Sequence, residues 1–320
     1  MHACIDLGSN SFHLLIGEWE EGRIQIVERL SEKVQLGENV RATGAISPEA
    51  FARGLVCLRR FKKLMNKYPL QQYWALGTNT FRVTSNAEQF VDAAADIGID
   101  ISIISGVQEA VLIYAGVITA LPVNDAHRLV IDIGGGSTEI IIGCRHTRLL
   151  TESMALGSVA WRDRFFTEPE VDAAALARQM EKGRQAARDV FDKVAPGVVR
   201  AGWDEAYASS GTMKMLAAIC SAHGYGNQEI LLEALYQLKD AMINSIAVGA
   251  ELTGLKESRR DLLLPGWCVL VGLMESYQVS RIKFSATALR EGMLDFMVKN
   301  QKTMRAMEQS DLPAISSGES

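Results

Sequence analysis

The fold of this chain is decided by one stretch, Val130-Ile131-Asp132-Ile133-Gly134-Gly135-Gly136-Ser137-Thr138-Glu139-Ile140-Ile141-Ile142. Apolar and β-branched residues stand on both sides of three glycines, a pattern typical of two strands joined by a tight turn. Glycine accepts backbone conformations that other residues avoid, so such a turn can expose its amide N–H groups. A plain structural hairpin is the alternative interpretation of the stretch taken alone.

Acids and hydroxyls accompany this turn. Asp132 comes near the end of the first strand, Ser137 and Thr138 follow the glycines, and Glu139 opens the second strand. Exposed amides suit phosphate oxygens, and carboxylates suit a hard divalent cation, which takes oxygen ligands. The stretch therefore indicates a phosphate site with a divalent cation beside it.

A second stretch near the N-terminus repeats the design. An apolar strand, an acid, a glycine and small polar residues follow one another in Ala3-Cys4-Ile5-Asp6-Leu7-Gly8-Ser9-Asn10-Ser11, and an apolar segment comes next. Two matched strand–turn–strand segments in one chain predict two similar domains that face each other across a cleft.

Composition limits the class of protein. The chain has 320 residues, enough for two domains, with 48% hydrophobic and 22% charged residues. The formal net charge of −5 provides no overall basic field for nucleic acid or a membrane surface, so neither partner is expected. The first strand begins at once, without a signal-peptide pattern, and no apolar run approaches about 20 residues. A cytoplasmic protein is therefore expected.

Three further segments carry candidate residues, and each has two interpretations from spacing alone. Arg82 follows a strand-end turn and is either a phosphate clamp or a surface cation. The turn Ser210-Gly211-Thr212 precedes a helix and either faces an anion or only caps that helix. Glu109 lies in the first turn of a predicted helix, where spacing favours a helix-dipole or capping role over a catalytic one.

Seven segments, in this order, resemble the exopolyphosphatase / guanosine pentaphosphate phosphohydrolase family. They are Ile5-Asp6-Leu7-Gly8-Ser9-Asn10-Ser11-Phe12, Gly77-Thr78-Asn79-Thr80-Phe81-Arg82 with Asn86, Ser105-Gly106 with Glu109-Ala110, residues 130–139, Leu156-Gly157, Ser210-Gly211-Thr212 and Leu289-Arg290-Glu291-Gly292. Single segments are weak signals, whereas seven in order across nearly the whole chain are specific.

The resemblance implies an α/β fold made of two ribonuclease-H-like domains, as in the actin-like ATPase superfamily that includes sugar kinases, Hsp70 and actin. We expect one domain over residues 1–122 and a second over 123–300, with an interdomain cleft. The last helix, at 288–303, has the alternative of packing back onto the first domain. Residues 304–320 are expected to be a disordered tail.

The resemblance also assigns roles to particular residues. Glu109 falls at the position of the catalytic carboxylate that activates or orients water, which reverses the interpretation from spacing. Asp132 and Glu139 fall at the metal position, with Asp6 as a further member of the acidic cluster. The implied substrate-binding residues are Gly8, Ser9, Asn10, Ser11, Thr78, Asn79, Arg82, Gly134, Gly135, Gly136, Ser137, Gly157, Ser210, Gly211 and Thr212.

The implied activity is exopolyphosphatase: hydrolysis of terminal phosphoanhydride bonds of inorganic polyphosphate, with Mg²⁺ or another divalent cation. Hydrolysis of guanosine pentaphosphate (pppGpp) is the alternative. Two alternatives belong to other functional classes: a sugar kinase or Hsp70-like ATPase, and a non-catalytic sensor of alarmone or polyphosphate. A homodimer is expected by family analogy.

The chain departs from the family pattern in three places. It is expected to be a short form that lacks the helical C-terminal domain of long members. Basic residues that long members often carry near Gln35 and at Val111 are absent, and Ser285-Ala286-Thr287-Ala288 replaces a more usual acid or glycine. These departures weaken the expectation of processive action on long chains.

Overall fold

The structure is a computed structural model in which residues 1–20, 23–167 and 172–299 are described. The strands are β1 (His2–Leu7), β2 (Ser11–Glu20), β3 (Arg23–Lys33), β4 (Gln72–Gly77), β5 (Ile101–Ile103), β6 (His127–Ile133), β7 (Thr138–Cys144), β8 (Thr147–Met154), β9 (Glu205–Ser209), β10 (Glu229–Leu231) and β11 (Arg281–Phe284).

The helices are α1 (Val40–Thr43), α2 (Pro48–Met65), α3 (Asn79–Val83), α4 (Ala87–Ala95), α5 (Gly106–Ile118), α6 (Ser158–Phe165), α7 (Ala173–Phe191), α8 (Ala195–Ala201), α9 (Gly211–Ala222), α10 (Leu232–Gln237), α11 (Lys239–Ala247), α12 (Leu263–Tyr277) and α13 (Leu289–Lys299). A 3₁₀-helix, Glu257–Leu262, precedes α12. None of the helices in the described part of the chain has the length and apolar character that crossing a bilayer requires.

The chain divides into two compact units. Among the described residues, the first comprises Met1–Leu121 together with 287–299, and the second comprises Pro122–Ala286. The sequence-based bounds placed 287–300 in the second domain and left open that the last helix packs back onto the first. The structure places α13 in the first unit. The tail expected at 304–320 lies outside the described residues.

The first unit is built on a five-stranded sheet in the order β3-β2-β1-β4-β5. β1 pairs antiparallel with β2, which pairs antiparallel with β3, while β4 pairs parallel with β1 and with β5. β1 is apolar over most of its length because helices and neighbouring strands cover it, and its apolar residues are fully buried.

The second unit repeats this order with one added strand. Its sheet runs β10-β11-β9-β6-β7-β8, with β6 antiparallel to β7 and parallel to β9. Without the short strand β10, both sheets have the same 3-2-1-4-5 order, which is the ribonuclease-H-like arrangement. The predicted α/β fold class with two such domains is confirmed, and the cleft stays a prediction.

The last helix of the first unit packs on α5 with the two backbones in contact. A methyl group on Gly116 of α5 would lie 1.8 Å from the carbonyl oxygen of Ala288, and one on Gly292 of α13 would lie 1.8 Å from that of Leu112. Only glycine permits so close an approach, so these two glycines set how α13 joins the first unit.

We therefore expect Gly116→Ala to destabilise the protein by about 1–3 kcal/mol, because its methyl group forces the two helices apart. Denaturant unfolding of the full chain measures the change. Gly197→Ala is the matched control: it lies in α8, where the nearest atom to an added methyl group, on Leu150, is 3.8 Å away. Equal stability of Gly116→Ala and the wild type would contradict the close contact.

Candidate active site

The 8–11 turn joins β1 to β2, and the segment after β3 is hydrogen-bonded to it. Ser9, Asn10 and Ser11 are buried. The amide of Gly37 donates to the carbonyl of Ser9 at 2.8 Å, and the amide of Gln35 donates to the carbonyl of Asn10 at 2.9 Å. These bonds fix the backbone of the turn, as a preorganised phosphate site requires.

A second polar segment lies at the same edge of the sheet. β4 is parallel to β1, so their carboxyl ends meet, and Thr78 follows β4 directly. Its hydroxyl donates to the carbonyl of Leu7 at 3.3 Å, and the hydroxyl of Thr80 donates to Ser9 Oγ at 2.8 Å. Asn79 begins α3. Thr80, to which the sequence assigned no role, thus ties α3 to the 8–11 turn.

Glu109 is held by Arg82. Arg82 Nη1 donates to Glu109 Oε2 at 3.0 Å and to the carbonyl of Ile104 at 2.8 Å. Glu109 is buried, with 8% of its surface exposed. The ion pair sets the direction of the carboxylate, while the planar guanidinium carries further N–H donors.

The cap of α5 explains why the side chain of Glu109 is available to Arg82. The amide of Gln108 donates to Ser105 Oγ at 3.1 Å, and the amide of Ser105 donates to Gln108 Oε1 at 2.7 Å. This reciprocal pair is a capping box, so Gln108 performs the capping that spacing suggested for Glu109.

An acidic cluster surrounds Asp6 within the first unit. Burial raises the pKa of Asp6 to about 7; Arg290 opposes this rise, and Glu109 and Glu291 add to it. Glu291 accepts from the amide of Ala288 at 2.9 Å and pairs with an arginine of β3. Arg290 lies in the Leu-Arg-Glu-Gly segment noted in the sequence, which assigned it no role.

The carboxylates of the second unit lie side by side. Asp132 on β6 is directly opposite Glu139 on β7, and residues in such positions face the same side of a sheet. Adjacent carboxylates repel each other, and a divalent cation offsets that repulsion. Mg²⁺ is commonly held by one or two carboxylates, with waters and phosphates completing its shell, so this pair fits it.

Larger groups of ligating side chains do not occur among residues 1–20, 23–167 and 172–299: no three or more His, Cys, Asp or Glu residues are arranged to hold a metal ion. The role of Asp6 as a further ligand stays a prediction.

The glycine turn at 134–137 is fixed by the start of α6. The carbonyl of Gly134 accepts from the amide of Ser158 at 2.9 Å, and that of Gly135 accepts from the amide of Val159 at 2.8 Å. A methyl group on Gly157 would lie 2.6 Å from the carbonyl of Gly135. Gly157 therefore allows this close approach, besides any contact with substrate that the resemblance implies.

The 210–212 turn is strained and joins the same region. Ser210 has φ +100°, in a range that non-glycine residues rarely adopt, and such strain concentrates at functional sites. Its hydroxyl caps α9 by accepting from the amide of Met213 at 3.3 Å. The hydroxyl of Thr212 donates to Ser158 Oγ at 3.1 Å, which links this turn to the start of α6.

Arg259 lies against this turn, and the sequence assigned it no role. Its guanidinium atoms would lie 2.5–2.7 Å from a methyl group on Gly211, and burial lowers its pKa. Its neighbour Arg260 instead pairs with Glu257 at 2.8 Å. Two adjacent arginines look alike in the sequence, so only the tertiary structure distinguishes them.

The structure thus brings the predicted residues together in two sets, one in each unit. The first set is Asp6, Gly8, Ser9, Asn10, Ser11, Thr78, Asn79, Arg82 and Glu109, and the second is Asp132, Gly134, Gly135, Gly136, Ser137, Glu139, Gly157, Ser210, Gly211 and Thr212.

Comparison with known proteins identifies the family. The model of the Ppx/GppA phosphatase family matches residues 15–301. The chain belongs to the Ppx/GppA phosphatase family. A Haemophilus influenzae protein named as a candidate exopolyphosphatase is 34% identical over 300 residues, which are 93% of this chain and 91% of that protein. The resemblance noted in the sequence is therefore confirmed.

Other members differ in length and in the name they carry. A guanosine-5'-triphosphate,3'-diphosphate pyrophosphatase of Pseudoalteromonas translucida is 36% identical over 93% of this chain, which spans 59% of that protein. The crystal structure of an exopolyphosphatase from Cytophaga hutchinsonii has a TM-score of 0.82 and 26% identity, and covers 93% of this chain and 97% of its own. An Aquifex aeolicus Ppx/GppA protein shares the fold, with a TM-score of 0.75 and 22% identity, covering 94% of this chain and 98% of its own.

The raised pKa of Asp6 predicts a pH-dependent stability. In the unfolded chain this carboxyl ionises near pH 3.8, and in the folded protein near pH 7, so the folded state binds more protons between these values. Raising the pH from 4 to 8 therefore removes stability. Asp6→Asn abolishes that loss.

Thermal unfolding in EDTA at pH 4 and pH 8 measures this effect. The Asp6→Asn variant should unfold at a higher temperature than the wild type at pH 8, and this advantage should shrink at pH 4. Asp92→Asn, at an exposed position of α4, is the control and should show no such pH-dependent gain. An equal effect of Asp6→Asn at both pH values would contradict the prediction.

Proposed function

We propose that this protein is a metal-dependent exopolyphosphatase that hydrolyses the terminal phosphoanhydride bond of inorganic polyphosphate and releases orthophosphate. The observation that carries the proposal is the buried Glu109 carboxylate, held at 3.0 Å by Arg82 in the unit that also contains Asp6 and the 8–11 turn of small polar residues. Membership in the Ppx/GppA phosphatase family and the two relatives named for exopolyphosphatase activity support it.

Glu109 is the proposed catalytic residue. Its carboxylate accepts a proton from the attacking water, or orients that water in line with the leaving oxygen. Arg82 keeps the carboxylate in one direction and offers its remaining N–H donors to phosphate oxygens. Such general-base or positioning action contributes about 10²- to 10⁴-fold in rate.

The turns bind the phosphate chain in this proposal. In each unit taken by itself, amides of the turn (8–11 in the first, 134–137 in the second) are the proposed donors to non-bridging phosphate oxygens, where negative charge builds in the transition state. Thr78, Asn79 and the 210–212 turn add polar groups, and Arg259 adds a cation next to that last turn.

Asp132 and Glu139 are the proposed ligands of Mg²⁺ or another divalent cation. When bound, the ion neutralises phosphate charge and polarises the phosphoanhydride. The role of the protein is to keep two carboxylates adjacent on one face of the sheet. The homodimer and the cytoplasmic location expected from the sequence stay predictions.

Hydrolysis of guanosine pentaphosphate is the second candidate, because the relative with 36% sequence identity is named as a guanosine-5'-triphosphate,3'-diphosphate pyrophosphatase. Both substrates present a terminal anhydride to the same residues. Phosphate release from polyphosphates of several lengths and from guanosine pentaphosphate, measured side by side with Mg²⁺, decides between them. ATP turnover with a sugar acceptor would instead indicate a kinase, and tight binding without phosphate release would indicate a sensor.

Glu109→Gln should lower the rate of phosphate release by about 10²- to 10⁴-fold, because the amide keeps the size of the side chain but cannot accept the proton. The unfolding temperature should stay close to that of the wild type. Glu88→Gln makes the same change at an exposed position in the first turn of α4 and should keep full activity. Full activity of Glu109→Gln would refute the assigned role.

Asp132→Asn should raise the Mg²⁺ concentration needed for half-maximal activity, because an amide oxygen carries no net charge for the cation. A Mg²⁺ titration of phosphate release at saturating substrate measures this. EDTA should abolish the activity of the wild type, and added Mg²⁺ should restore it. An unchanged titration curve for the variant would remove Asp132 from the metal site.

A further inference from the structure

Two serine hydroxyls flank the carboxylate pair of the second unit. In register, Ser153 on β8 is opposite Glu139, Glu139 is opposite Asp132, and Asp132 is opposite Ser209 on β9. We infer that Ser209 and Ser153 are positioning residues that hold the carboxylates of Asp132 and Glu139 in the orientation that accepts a divalent cation. The inference rests on the proposed function, which makes these acids the metal ligands.

The contact of Ser209 is with the aspartate. Its hydroxyl donates to Asp132 Oδ2, and its side chain is fully buried on the strand next to β6. A buried hydroxyl requires a hydrogen-bond partner, and a bond to an ionised carboxylate is stronger than one between neutral groups. This bond restricts rotation of the Asp132 carboxylate, which is only partly buried.

The contact of Ser153 is the counterpart on the other side. Its hydroxyl donates to Glu139 Oε1 at 3.0 Å. Glutamate has one more rotatable bond than aspartate, so ordering its carboxylate costs more conformational entropy. A donor fixed on the neighbouring strand reduces that freedom before a cation arrives.

The arrangement is symmetric about the acids. Each acid lies between the other acid and a serine, and all four side chains belong to one row across four adjacent strands. Ligating carboxylates are usually hydrogen-bonded in this way, and loss of such a partner costs about 10- to 100-fold in metal affinity. If a serine only gave its own buried hydroxyl a hydrogen-bond partner, replacing it would change the stability of the protein and leave its metal affinity unchanged.

The experiment measures Mn²⁺ binding to the full chain without substrate, from the electron paramagnetic resonance signal of free Mn²⁺. The variants are Ser209→Ala, Ser153→Ala and Ser153→Thr, the last of which keeps the hydroxyl. Ser276→Ala is the matched control, because Ser276 is buried in the same unit and its hydroxyl donates to the carbonyl of Arg188 at 3.3 Å. Thermal unfolding is recorded for every variant.

Ser209→Ala and Ser153→Ala should each raise the Mn²⁺ dissociation constant about 10- to 100-fold. Ser276→Ala should leave it unchanged, and Ser153→Thr should return it to within a few-fold of the wild-type value. Should Ser209→Ala fail to fold, the Ser153 pair, at a partly exposed position, decides the outcome.

Wild-type affinity in both alanine variants, or an equal loss in Ser276→Ala, would overturn the inference. Asp132→Asn separates this failure from that of the proposed function. If Asp132→Asn loses Mn²⁺ affinity while the serine variants keep it, the serines have no positioning role and the metal site stands. If the wild type and Asp132→Asn bind Mn²⁺ equally, or neither binds it, the metal assignment fails and the serine roles with it.

Discussion

The pairing of each unit's first strand is the constraint on which the rest of the structure depends. β1 and β6 each have an antiparallel partner on one side and a parallel partner on the other. The antiparallel partner returns through a short turn, and the parallel partner ends at the same edge of the sheet. Polar residues that are distant in sequence, such as Ser9 and Thr80 or Asp132 and Ser209, therefore meet where the central strand ends.

Charge is arranged differently in the two units. In the first, Asp6, Glu109 and Glu291 lie among the cations Arg82 and Arg290, and burial is the main reason that the pKa of Asp6 is raised. In the second, the two acids are neighbours in the sheet and are flanked by serine hydroxyls instead. The first arrangement suits proton transfer and water orientation, and the second suits a divalent cation.

Glycine acts in this fold mainly through close approach. Gly116 and Gly292 allow the backbones of α5 and α13 to touch, and Gly157 allows the start of α6 to touch the 134–137 turn. Each contact sets the position of an element that carries site residues: α5 carries Glu109, and the turn follows Asp132. Packing density and site geometry thus depend on the same few glycines.

Sequence alone determined the features that are local. The two acid–glycine–hydroxyl turns, the α/β class and the family follow from short segments whose chemistry is complete within a few residues. Tertiary structure decided the partners, because strand register and helix packing join distant segments. It paired Glu109 with Arg82, while Gln108 completes the cap of α5. It also distinguished Arg259 from Arg260 and placed α13 in the first unit. It also revealed Ser153 and Ser209, since a serine has no distinguishing sequence signal until its neighbours across the sheet are known.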